Sequence, residues 1–347
     1  MSSAEEFMRR AVELSLYGYP APNPRVGCVI VQKGEVVGDG YHDHAGGRHA
    51  EVVALEQAGD RARGADVYVT LEPCNHHGRT PPCVDALIAA QVASVTVGCL
   101  DPNPVASGGL SALKQAGIRV ESGVLEAEVR KTNEVWLTAV ERQSPYVVGK
   151  VAMSLDGRVA MPDGESKWIT SEASRQIGHV LRAECGAVMV GKRTVSRDNP
   201  LLTARVPGVV NQPVRIVLDP NSALLGIEKV FGDEAPTWHV VKHPVLEGHV
   251  QAPMRDNLID LRELLADFYR RGVTSLLIEG GPITLGHFLR EGLVDRLEVF
   301  VAPKALGAGP SWLEGGVANL ADAHKLPFER VKQVGPDIWI TCRPSVQ

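Results

Sequence analysis

The chain lacks the features that mark membrane, secreted and broadly nucleic-acid-binding proteins. None of its apolar runs approaches the ~18 residues that a membrane span needs. Met1 to Arg10 carry Glu5 and Glu6 and no apolar stretch, so no secretory signal is expected there. Aromatic residues make up only 5% of the chain and the net charge is −5, which speaks against a basic, aromatic-lined surface for nucleic acid. Six cysteines scattered over 347 residues do not form a disulfide framework. Cys28, Cys99, Cys185 and Cys342 read as small buried hydrophobes, whereas Cys74 and Cys83 stand in a different context, taken up below. These absences together lead to the expectation of a cytoplasmic protein.

An apolar fraction of 44% and a charged fraction of 22% are those of a globular protein, and 347 residues exceed what one ordinary core organises. The boundary is expected near Ser144, where Pro145 ends a helical pattern and introduces a strand, giving domains over 1–144 and 145–347. In the first, periodicity predicts helices over 5–16, 48–58, 84–91 and 110–116 and one long helix over 126–142. Strands are predicted over 26–32, 35–41, 65–71, 93–100 and 118–123. The second repeats the alternation, with strands over 146–153, 187–191, 214–218, 239–241, 275–278 and 297–302 and helices over 172–184, 261–271 and 284–291. The class is α/β in both halves.

Two short stretches carry chemistry. His49-Ala50-Glu51 is followed by Glu72-Pro73-Cys74 and Pro81-Pro82-Cys83. One imidazole and two thiolates make a three-ligand zinc site with an open fourth position, the arrangement of a catalytic zinc. Glu51 is placed to handle protons for the water such a metal activates. The pattern is that of zinc-dependent nucleobase deaminases, except that eight residues separate the cysteines here instead of two. His76 and His77 fall in that insert and offer an alternative ligand, although the Pro-Cys pairs match the ligand context better. Other divalent ions accept such donors, so the metal's identity stays open at this point.

In the second half, Glu279-Gly280-Gly281-Pro282-Ile283-Thr284 leads from an apolar strand into a helix. Backbone N–H groups there suit a phosphate, and the same residues suit a plain strand-to-helix turn. Gly191-Lys192-Arg193-Thr194 follows another apolar strand and adds two positive charges.

With these residues in view, the chain resembles the bifunctional riboflavin-biosynthesis deaminase/reductase family, which carries the longer insert between the cysteines. The first-half resemblance extends to Asn23, His42 and Asp101-Pro102-Asn103-Pro104. The second-half resemblance runs through Lys150-Val151-Ala152-Met153-Ser154-Leu155-Asp156-Gly157-Arg158, Ser166-Lys167-Trp168, Asp198-Asn199-Pro200-Leu201-Leu202-Thr203-Ala204-Arg205 and Glu279-Gly280-Gly281. It implies an N-terminal cytidine-deaminase-like α/β/α sandwich and a C-terminal dihydrofolate-reductase-like α/β domain. The implied cofactors are zinc and NADPH, and the implied assembly is a homo-oligomer without nucleic-acid or membrane partners. The implied reactions are deamination of a diaminopyrimidine bearing a phosphoribosylamino group, then hydride transfer to the anomeric carbon of the ring-opened ribosyl group.

Carried over residue by residue, the resemblance makes His49, Cys74 and Cys83 metal ligands and Glu51 the catalytic acid–base. Asn23, His42, His76 and Arg79 would hold the first substrate, with a turn residue and a solvated charge as the plainer readings of Asn23 and Arg79. Ala152, Trp168, Thr194, Asp198, Gly281, Pro282, Ile283 and Thr284 would contact NADPH. Lys150, Ser166, Arg182, Leu202, Arg205 and Glu279 would surround the second substrate, the arginines being natural phosphate partners. Lys150 and Asp198 are the candidates for the reductive proton donor. Lys192 and Arg193 stand where the family usually has smaller residues, and they are candidates for the extra phosphate of NADPH. Two readings compete: a nucleic-acid deaminase, which leaves the second half unexplained, and a binding protein with a structural zinc, which has no need of Glu51.

Overall fold

The computed structural model describes residues 3–78 and 81–345. Two compact units separate at Met1–Arg142 and Gln143–Gln347.

The first unit runs α1 (Ser3–Ser15), β1 (Gly27–Gln32), β2 (Glu35–Tyr41), α2 (Ala50–Ala58), β3 (Asp66–Leu71), α3 (Cys83–Ala89), β4 (Ser94–Cys99), α4 (Gly109–Gln115), β5 (Arg119–Ser122), α5 (Glu126–Thr132) and α6 (Glu134–Arg142). Its sheet has the order β2-β1-β3-β4-β5, with β1 antiparallel to both neighbours and β3, β4 and β5 parallel. Side chains alternate across a strand, and β1 uses this to serve two cores. Cys28 and Ile30 pack with Ala50, Ala54, Val84, Leu87 and Leu113 from α2, α3 and α4. Val29 and Val31 pack with Met8, Ala11, Val129 and Leu137 from α1, α5 and α6. The result is a three-layer α/β/α sandwich.

Two local expectations need correction. The helix over 126–142 is two helices, interrupted at Asn133. The Asn133 amide accepts from the Arg25 N–H at 2.8 Å and donates to the Arg25 carbonyl at 2.7 Å. That double tether holds the junction to the segment leading into β1, a long-range demand invisible to helical periodicity. His49, expected in a first helical turn, is instead the extended residue capping α2, with φ −72° and ψ 156°.

The second unit contains β6 (Tyr146–Ser154), α7 (Glu172–Glu184), β7 (Ala187–Gly191), α8 (Lys192–Asp198), β8 (Val214–Leu218), β9 (Thr237–Val241), β10 (His249–Gln251), β11 (Met254–Arg255), β12 (Leu258–Ile259), α9 (Leu261–Arg270), β13 (Ser275–Ile278), α10 (Pro282–Arg290), β14 (Arg296–Ala302), β15 (Phe328–Val334) and β16 (Asp337–Cys342). Its main sheet follows β10-β9-β8-β7-β13-β6-β14-β16-β15. All pairs from β10 to β14 are parallel, and the β14–β16–β15 end is antiparallel. Phe268 of α9 and Phe288 of α10 are fully buried against Met189, Ile216, Leu276 and Ile278. Asp260 caps α9 by accepting the Glu263 N–H at 3.2 Å.

Apolar alternation predicts neither β15 nor α8. β15 is an edge strand exposed along nearly its whole length, with Glu329, Arg330 and Lys332 in its middle, so it has no inward-facing apolar row. α8 is two turns long and buries only Val195.

Candidate active sites

In the first unit, the backbone brings α2 hard against β2. A Cβ on Gly38 would lie 2.3 Å from the Ala54 carbonyl oxygen, and one on Gly40 would lie 2.7 Å from that of Ala50. Only glycines permit this approach, which sets the start of α2, and with it His49 and Glu51, beside the end of β3 and the start of α3. Cys74 follows β3 by three residues and Cys83 opens α3.

The three donors converge. His49 Nδ1 lies 3.1 Å from Cys83 Sγ and 3.6 Å from Cys74 Sγ, and all three ligand atoms fall within 4.8 Å of one another. Zinc–sulfur bonds of ~2.3 Å and zinc–nitrogen bonds of ~2.0 Å at tetrahedral angles separate such donors by roughly 3.5–3.8 Å, so the set fits zinc. No other such metal-ligating cluster occurs among the described residues. The Cys83 backbone N–H points to Cys74 Sγ at 3.4 Å, a contact suited to a thiolate. Hydrogen bonding from the Cys83 thiol, helped by His49, holds the Cys74 thiol below its ordinary range against the cost of its burial.

Glu51 is 3% exposed, and burial pushes its carboxyl above the ordinary range even though His49 pulls the other way. Burial thus makes this carboxyl hold its proton more firmly than an exposed one, which suits a group that must both take up and give back protons. His42, 3% exposed, lies edge-on to the His49 ring at 5.3 Å. Its Nδ1 is 3.0 Å from the Arg48 carbonyl and its Nε2 is 3.0 Å from Asn23 Nδ2. A carbonyl only accepts and an amide nitrogen only donates, so the ring is neutral with its proton on Nδ1. Burial, which lowers the pKa of His42, agrees. His76 has a buried Nδ1 with no hydrogen-bond partner among the described residues, and Arg79 lies outside them. Burial also pushes Asp101 up to about 6 despite the Asn103 N–H it accepts. Glu72 has a structural task, fastening the segment that carries Asp101 to α4 by accepting the N–H groups of Asp101, Gly108 and Leu110.

In the second unit, every residue expected to touch NADPH or the second substrate lines a single cavity of about 1200 Å³. It opens where β7 and β13, parallel neighbours, hand over to α8 and α10. Gly281 caps α10, and Pro282 occupies its first turn. On one wall Glu279 is clamped by Arg182, Nη2 to Oε2 at 2.9 Å with a second contact from Nε to Oε1, while Lys150 Nζ stands 4.0 Å away. Burial alone would raise the Glu279 carboxyl; Arg182 and then Lys150 reverse this and hold it at about 2. Desolvation and Arg182 together lower the Lys150 ammonium below its usual range, with Glu279 opposing. Ser166 Oγ donates to Asp198 Oδ1 at 3.3 Å. Leu202 is buried with φ +56°, a turn conformation that aims the following Thr203 carbonyl at Arg182 Nη1, 3.0 Å away.

Residues 145–340 match the family model described as the RibD C-terminal domain, and residues 1–99 match the cytidine and deoxycytidylate deaminase zinc-binding region. The riboflavin biosynthesis protein RibD of Aquifex aeolicus is 44% identical over 346 residues, covering 97% of each chain. The chain belongs to the bifunctional riboflavin-biosynthesis deaminase/reductase family. The Escherichia coli protein of that name is 41% identical, covering 97% of this chain and 98% of its own. A solved structure of RibD from Acinetobacter baumannii superposes with a TM-score of 0.90 at 39% identity, covering 99% of both chains. The Thermotoga maritima diaminohydroxyphosphoribosylaminopyrimidine deaminase/5-amino-6-(5-phosphoribosylamino)uracil reductase gives 0.87 at 35% identity, again over 99% of both.

As a family member the chain is an enzyme of riboflavin biosynthesis, a hydrolase through its zinc-binding deaminase domain and an oxidoreductase through its NADPH-dependent reductase domain. The nucleic-acid deaminase and structural-zinc readings fall away. The cavity suits the dinucleotide: lysines and arginines on its walls, Lys192, Arg193, Arg205 and Lys242 among them, outnumber the four carboxylates Glu172, Asp198, Glu279 and Glu314, and the backbone of Gly281 is bare at a helix start. Among the described residues no helix is long and apolar enough to cross a membrane. Two cavity residues, His179 and Lys242, have no motif to announce them in the sequence. The one available signal is positional: His179 precedes Arg182 by three residues, on the same helical face.

Proposed function

We propose that residues 1–144 deaminate diaminohydroxyphosphoribosylaminopyrimidine and that residues 145–347 reduce the ribosyl group of the product to ribityl. The convergence of His49, Cys74 and Cys83 beside the buried Glu51 carries the first half of this reading. Those three residues hold zinc, which when bound supplies a Lewis acid and an activated water. Glu51 takes one proton of the attacking water and delivers it to the ring nitrogen, then takes the remaining proton from the new hydroxyl and gives it to the departing amine, so that ring C–NH2 and water become C=O and ammonia. Asn23 and His42 form a fixed polar pair for the pyrimidine, and His76 and Arg79 complete the binding set.

In the second domain NADPH, when bound, supplies the hydride, and Ala152, Trp168, Thr194, Asp198 and the segment from Gly281 to Thr284 hold it. Opening the ribosyl ring breaks its C–O bond and leaves a C=N group whose carbon accepts the hydride. Lys150 is favoured over Asp198 as the proton source. Its ammonium has a lowered pKa and faces Glu279, whereas Asp198 is engaged by Ser166. Ser166, Leu202 and Arg205 complete the substrate wall.

The enzyme acts on small molecules in the cytoplasm as a homo-oligomer. Six free cysteines, four of them outside the metal set and buried, suit a reducing compartment. Light scattering of the purified protein tests the assembly. Product analysis tests the division of labour: Glu51→Ala should accumulate unreacted substrate, and Lys150→Ala should accumulate the deaminated but unreduced product. Failure of Glu51→Ala to reduce supplied deaminated compound, or loss of deamination in Lys150→Ala, would contradict the assignment.

A further inference from the structure

The reductase cavity holds two arginines in different electrostatic states. Arg182 is neutralised by Glu279 through two contacts. Arg205 is exposed and has no carboxylate within ion-pair distance among the described residues. Its side chain is nevertheless pinned, and by neutral acceptors: Nη1 donates to Thr203 Oγ1 at 3.1 Å and Nη2 to His179 Nε2 at 2.9 Å. A guanidinium cannot accept, so His179 Nε2 carries no proton and the ring proton sits on Nδ1. Nδ1 lies 3.1 Å from the Thr203 carbonyl, to which it donates; the Arg205 backbone N–H, 3.3 Å from the same nitrogen, then makes no hydrogen bond to it, because the protonated Nδ1 has no lone pair to offer. That same carbonyl accepts from Arg182 Nη1 at 3.0 Å, so the ring is anchored to the clamp formed by Arg182 and Glu279. Burial, followed by the charges of Arg182 and Arg205, brings the imidazole down to about 4 and keeps it neutral.

We infer that His179 is a positioning residue that holds the Arg205 guanidinium, its charge uncompensated and its remaining N–H donors free, for the phosphate of the ribosyl substrate. The inference rests on the assignment of Arg205 to substrate binding made above. A long exposed side chain otherwise samples many rotamers, and fixing it before the ligand arrives removes that cost from binding. Neutral acceptors achieve this without cancelling the charge, which a carboxylate in the place of His179 would do.

The test uses the full-length enzyme and the deaminated substrate, with and without its phosphate. His179→Ala should raise KM for the phosphorylated substrate about tenfold with kcat within about twofold, and should leave KM for the dephosphorylated one unchanged. His179→Gln, whose Oε1 can accept from Nη2, should recover most of the loss. Arg205→Ala should raise KM at least as much, and the His179→Ala/Arg205→Ala pair should be no worse than Arg205→Ala alone. Binding of ribose 5-phosphate by calorimetry should weaken in the same order. If Arg205→Ala raises KM and His179→Ala does not, the positioning role is wrong. An equal effect of His179→Ala on both substrates marks a merely structural residue and also overturns it. If Arg205→Ala itself changes nothing, the failure lies in the assignment of Arg205.

Discussion

Arg182 Nη2 and Glu279 Oε2 meet at 2.9 Å on the wall of the reductase cavity, joining helix α7 to the residue that follows strand β13. The Glu279 side chain is 7% exposed and that of Arg182 15%. Removing one partner of such a pair leaves the other buried and unanswered, which costs more than the pair itself contributes.

Stability should therefore respond to Glu279 in a pH-dependent way. Its folded carboxyl sits at about 2 against an ordinary value of 4.5, so its contribution is complete above the unfolded value and is lost as pH falls from there towards 2. Glu279→Gln is expected to lower the unfolding free energy of the reductase unit by on the order of 3 kcal/mol near neutrality. The gap to the unsubstituted protein should shrink steadily below about pH 4.5. Urea unfolding of both proteins over that range checks it; a gap independent of pH would show that the carboxylate is not held by Arg182.

Metal binding and proton transfer should separate within the deaminase site. Cys83→Ser removes a ligand and is expected to leave less than stoichiometric zinc by metal analysis. Glu51→Gln retains the donor triad and should keep its zinc while slowing deamination by ~10²–10⁴. Reduction of the already deaminated substrate should survive in both variants. Zinc loss from Glu51→Gln would make Glu51 a ligand and not a proton carrier.

Preference for NADPH over NADH is expected to depend on Lys192 and Arg193, which line the cavity at the start of α8. Lys192 Nζ lies 3.6 Å from the buried Asp219, which already answers part of its charge, whereas Arg193 is exposed. Lys192→Ala/Arg193→Ala should weaken NADPH by about tenfold or more and leave NADH unchanged, with Arg193→Ala giving most of the effect. Fluorescence titration of the two dinucleotides decides it. Equal weakening of both would place these cations elsewhere on the dinucleotide.

The sequence was most legible where one residue type serves one chemical purpose. His49, Cys74 and Cys83 are donors in a fixed order, and the structure gathers their ligand atoms within 4.8 Å of one another, with the buried Glu51 carboxyl beside Cys83. The parallel strands were legible because they are buried on both faces, as in β7 and β13. Legibility failed where the deciding partner is distant in the chain or the surface is polar. Asn133 interrupts a helix for the sake of Arg25, 108 residues away. β15 owes its strand to pairing with β16 and not to any apolar row. His179 looks like one more residue on a helix face until Thr203 and Arg205, which its ring touches, are seen to come from a different segment.

The most direct test of the two-step account is NADPH oxidation by the purified protein given the phosphoribosylaminopyrimidine that has not yet been deaminated. If deamination must precede reduction, oxidation should follow a lag and vanish in Glu51→Ala. It should return in that variant when the deaminated compound is supplied. Oxidation that persists undiminished in Glu51→Ala with the original substrate would contradict the order of the two reactions and the role given to Glu51.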